Sequence, residues 1–138
     1  MTFKKDLKKY GYAIVKNALS KMDLQVIKLL DTPKNLEYCC AIPKVRYHFN
    51  ILYNDMDLCF DGGMQKRMGY FENTLVWDKY YYTGLLCISD TAEIWIGMGD
   101  VKLNQLNAGD ILFIDPSDIN WIEGDMIGLP LKPKRSFK

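Results

Sequence analysis

The stretch NAGDILFIDPSDINWIEG, residues 107–124, limits the possible folds more than any other part of the chain. A tight-turn cluster, Asn107-Ala108-Gly109-Asp110, opens into the apolar run Ile111 to Ile114. A second turn cluster, Asp115-Pro116-Ser117-Asp118, opens into Ile119 to Ile122. Four-residue stretches rich in apolar residues between turn formers are too short for helices and fit strands packed in a sheet. The motifs DGG and GMGD break the preceding region in the same way. The rhythm predicts strands over residues 67–71, 74–77, 80–88, 93–96, 101–106, 111–114, 119–122 and 127–131. Many short strands at this spacing point to a jelly roll or small barrel.

The N-terminal region has a different period. Thr2 is placed to cap a helix whose Phe3, Leu7 and Tyr10 share one face, and Gly11 suits the position just past its end. Tyr12-Ala13-Ile14-Val15 reads as a strand, with Lys16-Asn17 as the break. Ser20 is a good N-cap for a second helix, with Asp23 three residues on as in a capping box. Leu19 and Leu24 have the spacing of a hydrophobic staple. Met22, Val26, Ile27, Leu29 and Leu30 supply the apolar stripe, and Asp31-Thr32-Pro33 ends it. After Pro43, VRYHFNILY alternates as a strand would. Val45, Tyr47, Phe49, Ile51 and Tyr53 would face one way, and Arg46, His48, Asn50 and Leu52 the other. NDMDLCFDGG, residues 54–63, holds three carboxylates, but Cys59 and Phe60 stand where a calcium loop needs an oxygen ligand and a glycine. It reads as an acidic hairpin loop.

At 138 residues the chain fits one domain, with helical support over 1–35, a β-rich core over 44–131 and a basic tail over 132–138. A net charge of +1 argues against a broad nucleic-acid surface. No apolar run approaches the roughly 18 residues of a membrane span. Met1 is followed by a charged amphipathic segment rather than a leader, so the expected location is intracellular. Cys39, Cys40, Cys59 and Cys87 lack paired metal spacing and read as reduced thiols. Lysine outnumbers arginine fifteen to three. That bias fits an AT-rich genome: a parasite, a low-GC bacterium, or a large DNA virus, where a virion component would be the reading.

Several motifs together carry a family resemblance. Helix, YGYAIVKNALS, helix is similar to the opening of iron- and 2-oxoglutarate-dependent oxygenases of the prolyl- or phytanoyl-hydroxylase kind. YYYTGLLCISD resembles the strand after that family's HxD motif, EIWIG its GGEL-like strand, and LNAGDILFI the strand before its distal histidine. KRSF resembles the segment with the basic residue that grips 2-oxoglutarate. The resemblance implies an α+β fold: a double-stranded β-helix, or jelly roll, with N-terminal supporting helices.

The resemblance also implies an iron site of two histidines and a carboxylate on one face. This chain has one histidine. Where HxD belongs the chain reads Val76-Trp77-Asp78, so only the carboxylate is kept. The distal histidine falls on Asn120, or on Trp121 in a register shifted by one. Arg135 matches the co-substrate position. The expectation is therefore a member that has lost its iron site, with no catalytic residue and no cofactor. It would act through a protein partner or a second copy of itself. Tyr80, Tyr81, Tyr82 and Lys134 are the expected interface, since consecutive strand tyrosines show a ring on each face. Two alternatives stand beside it. One is an oxygenase using Fe(II) and 2-oxoglutarate with His48, Asp78 and Asn120 as unusual ligands. The other is a metal-free jelly roll in which Arg135 and Arg46 hold a small anion.

Overall fold

The computed structural model describes residues 2–30, 34–60, 66–68, 82–96, 101–102, 105–115 and 118–134. Four helices come first, with one strand between them: α1 (Thr2–Tyr10), β1 (Tyr12–Val15), α2 (Lys21–Leu29), α3 (Lys34–Ala41) and α4 (Pro43–Asp55). Nine strands follow: β2 (Leu58–Phe60), β3 (Lys66–Met68), β4 (Tyr82–Cys87), β5 (Thr91–Ile96), β6 (Val101–Lys102), β7 (Leu106–Asn107), β8 (Ile111–Ile114), β9 (Ile119–Glu123) and β10 (Met126–Pro133).

The strands form two antiparallel sheets. The major sheet runs β1-β8-β4-β10, and β2 and β3 both pair with the far edge of β10. In the minor sheet β5 is central, with β9 on one side and β6 and β7 on the other. From β4 onward the chain passes back and forth between the sheets, which is how a jelly roll is wound. One corner, between β4 and β5, is pinned by Ser89. Its hydroxyl donates to the Thr91 carbonyl at 2.7 Å and accepts from the Asp125 amide at 3.1 Å.

Alternation along the major sheet divides the core in two. Ala13, Phe113 and Leu129 stand in one row; Val15, Ile111, Leu86 and Ile127 stand in another. All of these face the helices, where they join Phe3, Leu7, Val45, Phe49 and Leu52. The intervening rows, with Leu85, Cys87, Leu112, Ile114 and Met126, face the minor sheet and meet Ala92, Ile94, Leu106, Ile119 and Ile122. Phe113 centres the helix-side layer. Its ring meets Phe3 edge-on at 5.3 Å and Phe49 edge-on at 5.7 Å.

The first helix, first strand and Ser20 cap agree with the sequence. Ser20 accepts from the Asp23 amide at 3.1 Å, Asp23 accepts from the Ser20 amide at 3.3 Å, and both staple leucines are buried. Leu30 is the C-cap of α2. Asp31-Thr32-Pro33 and the strand expected at 74–77 lie outside the described residues.

The segment expected as a strand over 45–53 is helical. Pro43 opens α4 at a position where its missing N–H costs nothing, and the Arg46 amide donates to the Ile42 carbonyl at 2.8 Å. Val45 and Phe49 satisfy both periods, and Leu52 fits the helical one alone. Val45, Phe49 and Leu52 are spaced i, i+4, i+7, and these are the buried ones. Tyr47 and Tyr53, which strand alternation would bury with Val45 and Phe49, are exposed. α3 was not anticipated either, so the helical layer runs past residue 35 to Asp55. Of the expected hairpin loop at 54–63, residues 54–60 are instead the end of α4, a turn at Asp57 and the strand β2, and residues 61–63 lie outside the described residues. No helix among the described residues is long and apolar enough to cross a membrane.

Candidate functional site

In a jelly roll the sheltered space lies between the two sheets, and the inner rows of β4, β8, β9 and β10 line it here. Its lining is almost wholly aliphatic. Thr83 is the exception. It belongs to the inner row with Ile114 and Pro130 on the flanking strands and has no exposed surface. Its hydroxyl has no hydrogen-bond partner among the described residues. A buried hydroxyl left in that state costs about 1–3 kcal/mol.

Asn120 lies on β9 at an irregular point. Ile119 pairs with Ile96, but Trp121 already pairs with Trp95, so the residue between them has no opposite number. This is a β-bulge. It also explains how Ile119 and Ile122, three apart, both reach the inner layer, which a regular strand would not allow. Trp121 is half-buried and stands opposite Trp95.

His48 is far from this space. It lies on α4, in the helical layer on the other side of the major sheet. Its Nδ1 is 2.8 Å from the Lys44 carbonyl. A carbonyl only accepts, so Nδ1 carries the proton. The ring meets Phe3 edge-on at 4.9 Å and Tyr47 edge-on at 5.2 Å. The expectation that His48 shares a polar strand face with Arg46 and Asn50 is corrected by this placement. The major sheet stands between His48 and β9, the strand that carries Asn120. Asp78, the third member of that expected set, lies outside the described residues. Among the described residues no three His, Cys, Asp or Glu side chains gather as a metal site.

Of the remaining expected residues, the described ones are Arg46, Tyr82 and Lys134. Arg46 is exposed on α4 and lines a crevice against β2, outside the sandwich. Arg135, Tyr80 and Tyr81 lie outside the described residues. Tyr82 is half-buried and packs against the helix-side core. Burial raises its hydroxyl pKa, helped by the charges of Asp115 and Asp118. Burial also raises the Asp118 carboxyl, helped by Asp115. Lys134 is engaged internally. It donates to the Tyr53 carbonyl at 2.8 Å, lies 4.0 Å over the Tyr53 ring and pairs with Asp57 at 3.7 Å.

The four cysteines are free thiols. Burial pushes Cys39 up to about 12 and Cys40 and Cys87 up to about 11, which keeps these three protonated at neutral pH. Sequence reading missed Thr83 and the bulge at Asn120. Thr83 carries no motif of its own, and only the register of β4 shows which face it takes.

Three solved structures are similar to this chain. A prolyl-4-hydroxylase from Pseudomonas putida superposes with a TM-score of 0.60 at 10% identity, over 99% of this chain and 94% of that one. HygX from Streptomyces hygroscopicus, with nickel, 2-oxoglutarate and hygromycin B bound, superposes with a TM-score of 0.59 at 10% identity, over 96% and 86%. HygX with iron bound gives a TM-score of 0.54 at 10% identity over the same shares. No protein-family model and no curated protein sequence matches the chain. At such identities the likeness is one of fold. The chain has helices packed on an antiparallel jelly roll of the kind these oxygenases use.

Proposed function

We propose that this chain is a binding module on an oxygenase-type jelly roll that does not hold iron through two histidines and a carboxylate, and that it acts through another protein or a second copy of itself. One observation carries the reading. The chain's single imidazole is tied into the helical layer by Lys44, Phe3 and Tyr47, on the wrong side of the major sheet for a metal in the sandwich. A facial triad needs two imidazoles on one side of one metal ion, so the donor set does not fit that centre.

The test is metal analysis of protein purified anaerobically with Fe(II). The expected result is sub-stoichiometric iron and a melting temperature unmoved by 2-oxoglutarate. Stoichiometric iron with a melting temperature raised by 2-oxoglutarate would overturn the reading. The interface half of it is tested by Tyr81→Ala and by truncation after Lys134, which spares all of β10. Each is expected to weaken self-association or partner capture while leaving the melting temperature in place.

A second reading is favoured by Thr83. Its buried hydroxyl faces the sandwich interior, where a small carboxylate or carbonyl ligand would satisfy it. An oxygenase or ligand carrier with ligands other than His48 fits that observation. Under it, Thr83→Val removes a 2-oxoglutarate-induced melting shift; under the first reading there is no shift to remove.

A further inference from the structure

The helix side of the major sheet has its own cavity. It has a volume of about 280 Å³ and lies between α4 and the edge strand β2. That is just below the roughly 300–1,000 Å³ of ordinary small-molecule sites, so it suits a small ligand. The floor is apolar, formed by Phe49, Leu58 and Leu131, three members of the helix-side core. Arg46 and Asn50, one helical turn apart and both exposed, stand at the mouth. No carboxylate pairs with Arg46 among the described residues, whereas Lys4, Lys16 and Lys134 all have acidic partners. Cys40 and Cys59 look into the cavity from α3 and β2.

We propose that this crevice binds a small amphipathic carboxylate. The apolar floor takes a short hydrocarbon or aromatic body, and the Arg46 guanidinium takes the carboxylate by two parallel hydrogen bonds. A phosphate or sulfate without an apolar body would leave the floor exposed to water, and a neutral alcohol would leave the guanidinium without its counter-charge. The site is separated from the sandwich interior by the major sheet, so it stands whether or not the interior holds iron.

The cavity carries its own reporter. Cys59 is half-buried beside it, while Cys39 and Cys87 are buried elsewhere. The probe is octanoate, with 1-octanol and acetate as comparisons, and the readout is the rate of N-ethylmaleimide addition at each cysteine, resolved by peptide mass spectrometry. Octanoate at about ten times its Kd is expected to slow Cys59 about tenfold by mass action, with Cys39 and Cys87 unchanged. Arg46→Gln is expected to weaken octanoate about tenfold, the loss of one charge-assisted contact, and Arg46→Lys to restore part of it. Equal protection by 1-octanol, no protection by octanoate, or unchanged affinity in Arg46→Gln would each overturn the proposal. Arg46 is exposed, so the variant is expected to fold. Should it not, the comparison of octanoate with 1-octanol on the unaltered protein still decides.

Discussion

At the scale of single residues, two glycines show how tightly the sheet is packed. Gly109 has φ +92°, and a Cβ there would come within 2.6 Å of the Leu19 carbonyl. The Gly109 carbonyl in turn accepts from the Ala18 amide at 2.9 Å and the Leu19 amide at 3.2 Å. The NAGD turn thus docks on the segment leading into α2 as well as reversing the chain, which its composition alone did not reveal. Gly84 has an ordinary backbone, but a Cβ there would meet the Phe113 ring at 2.9 Å. Gly84→Ala must displace a ring already held by Phe3 and Phe49. The expected cost is about 1–3 kcal/mol, the range for overpacking, measured by urea denaturation. A variant as stable as the parent would mean that the Phe113 ring is not fixed against β4.

At the scale of elements, α2 and α3 are clamped by one polar contact. The Tyr38 hydroxyl donates to the Asp23 carboxylate at 2.9 Å, and the same carboxylate completes the capping box of α2. Burial alone would raise the Asp23 pKa, but the Tyr38 hydroxyl with the Ser20 amide and hydroxyl holds it below 3.8. A carboxyl lowered in the folded state adds stability that is present above its unfolded pKa and fades as pH falls through the lower folded value. Tyr38 is shifted the other way, chiefly by the hydrogen bond to Asp23. Its contribution is full below the ordinary tyrosine value near 10 and is lost as pH rises through the higher folded one. Tyr38→Phe is therefore expected to unfold at lower urea than the parent between about pH 5 and 9. The two curves should approach one another at both extremes, and a gap that is constant with pH would contradict the clamp. The elements also show what the sequence could reveal. β8 was legible because both its faces are buried, leaving an apolar run between two turns. α4 was not, because Val45 and Phe49 fit a two-residue and a helical period alike over so short a window, and aromatic residues weight the reading toward strand. The bulge at Asn120 was hidden for a related reason, since a strand read from one chain shows no partner against which a register shift could be seen.

At the scale of the whole molecule, one carboxylate joins two distant parts of the sequence. Asp110 is 1% exposed. It accepts from the Asn17 amide at 2.9 Å, the Asn107 amide at 2.9 Å and the Lys16 ammonium at 3.0 Å. Lys44 donates to the Lys16 carbonyl at 2.6 Å and so brings the start of α4 to the same knot. Asp110→Ala would leave two backbone amides without their acceptor and is expected to cost about 2–4 kcal/mol, seen as a lower melting temperature. Asp110→Asn keeps one acceptor and should fall between. The sequence marked Asp110 only as a turn residue; its burial follows from the pairing of β1 with β8, which no local pattern announces.

That pairing has a consequence for how the protein is made. Among the described residues β1 pairs with one strand, β8, about a hundred residues later in the chain, and the Phe3 and Phe49 rings close on Phe113. A ribosome has therefore delivered the whole helical layer well before the surface it packs on exists. Through that interval Tyr12–Val15 is a strand without a ladder, and the apolar sides of α1 and α4 have only each other to cover. Such distant pairing slows folding and lengthens exposure to wrong partners. The lysines along α1 and the Lys16-Asn17 break beside β1 supply charge and interruption where a stalled chain would otherwise be most adhesive.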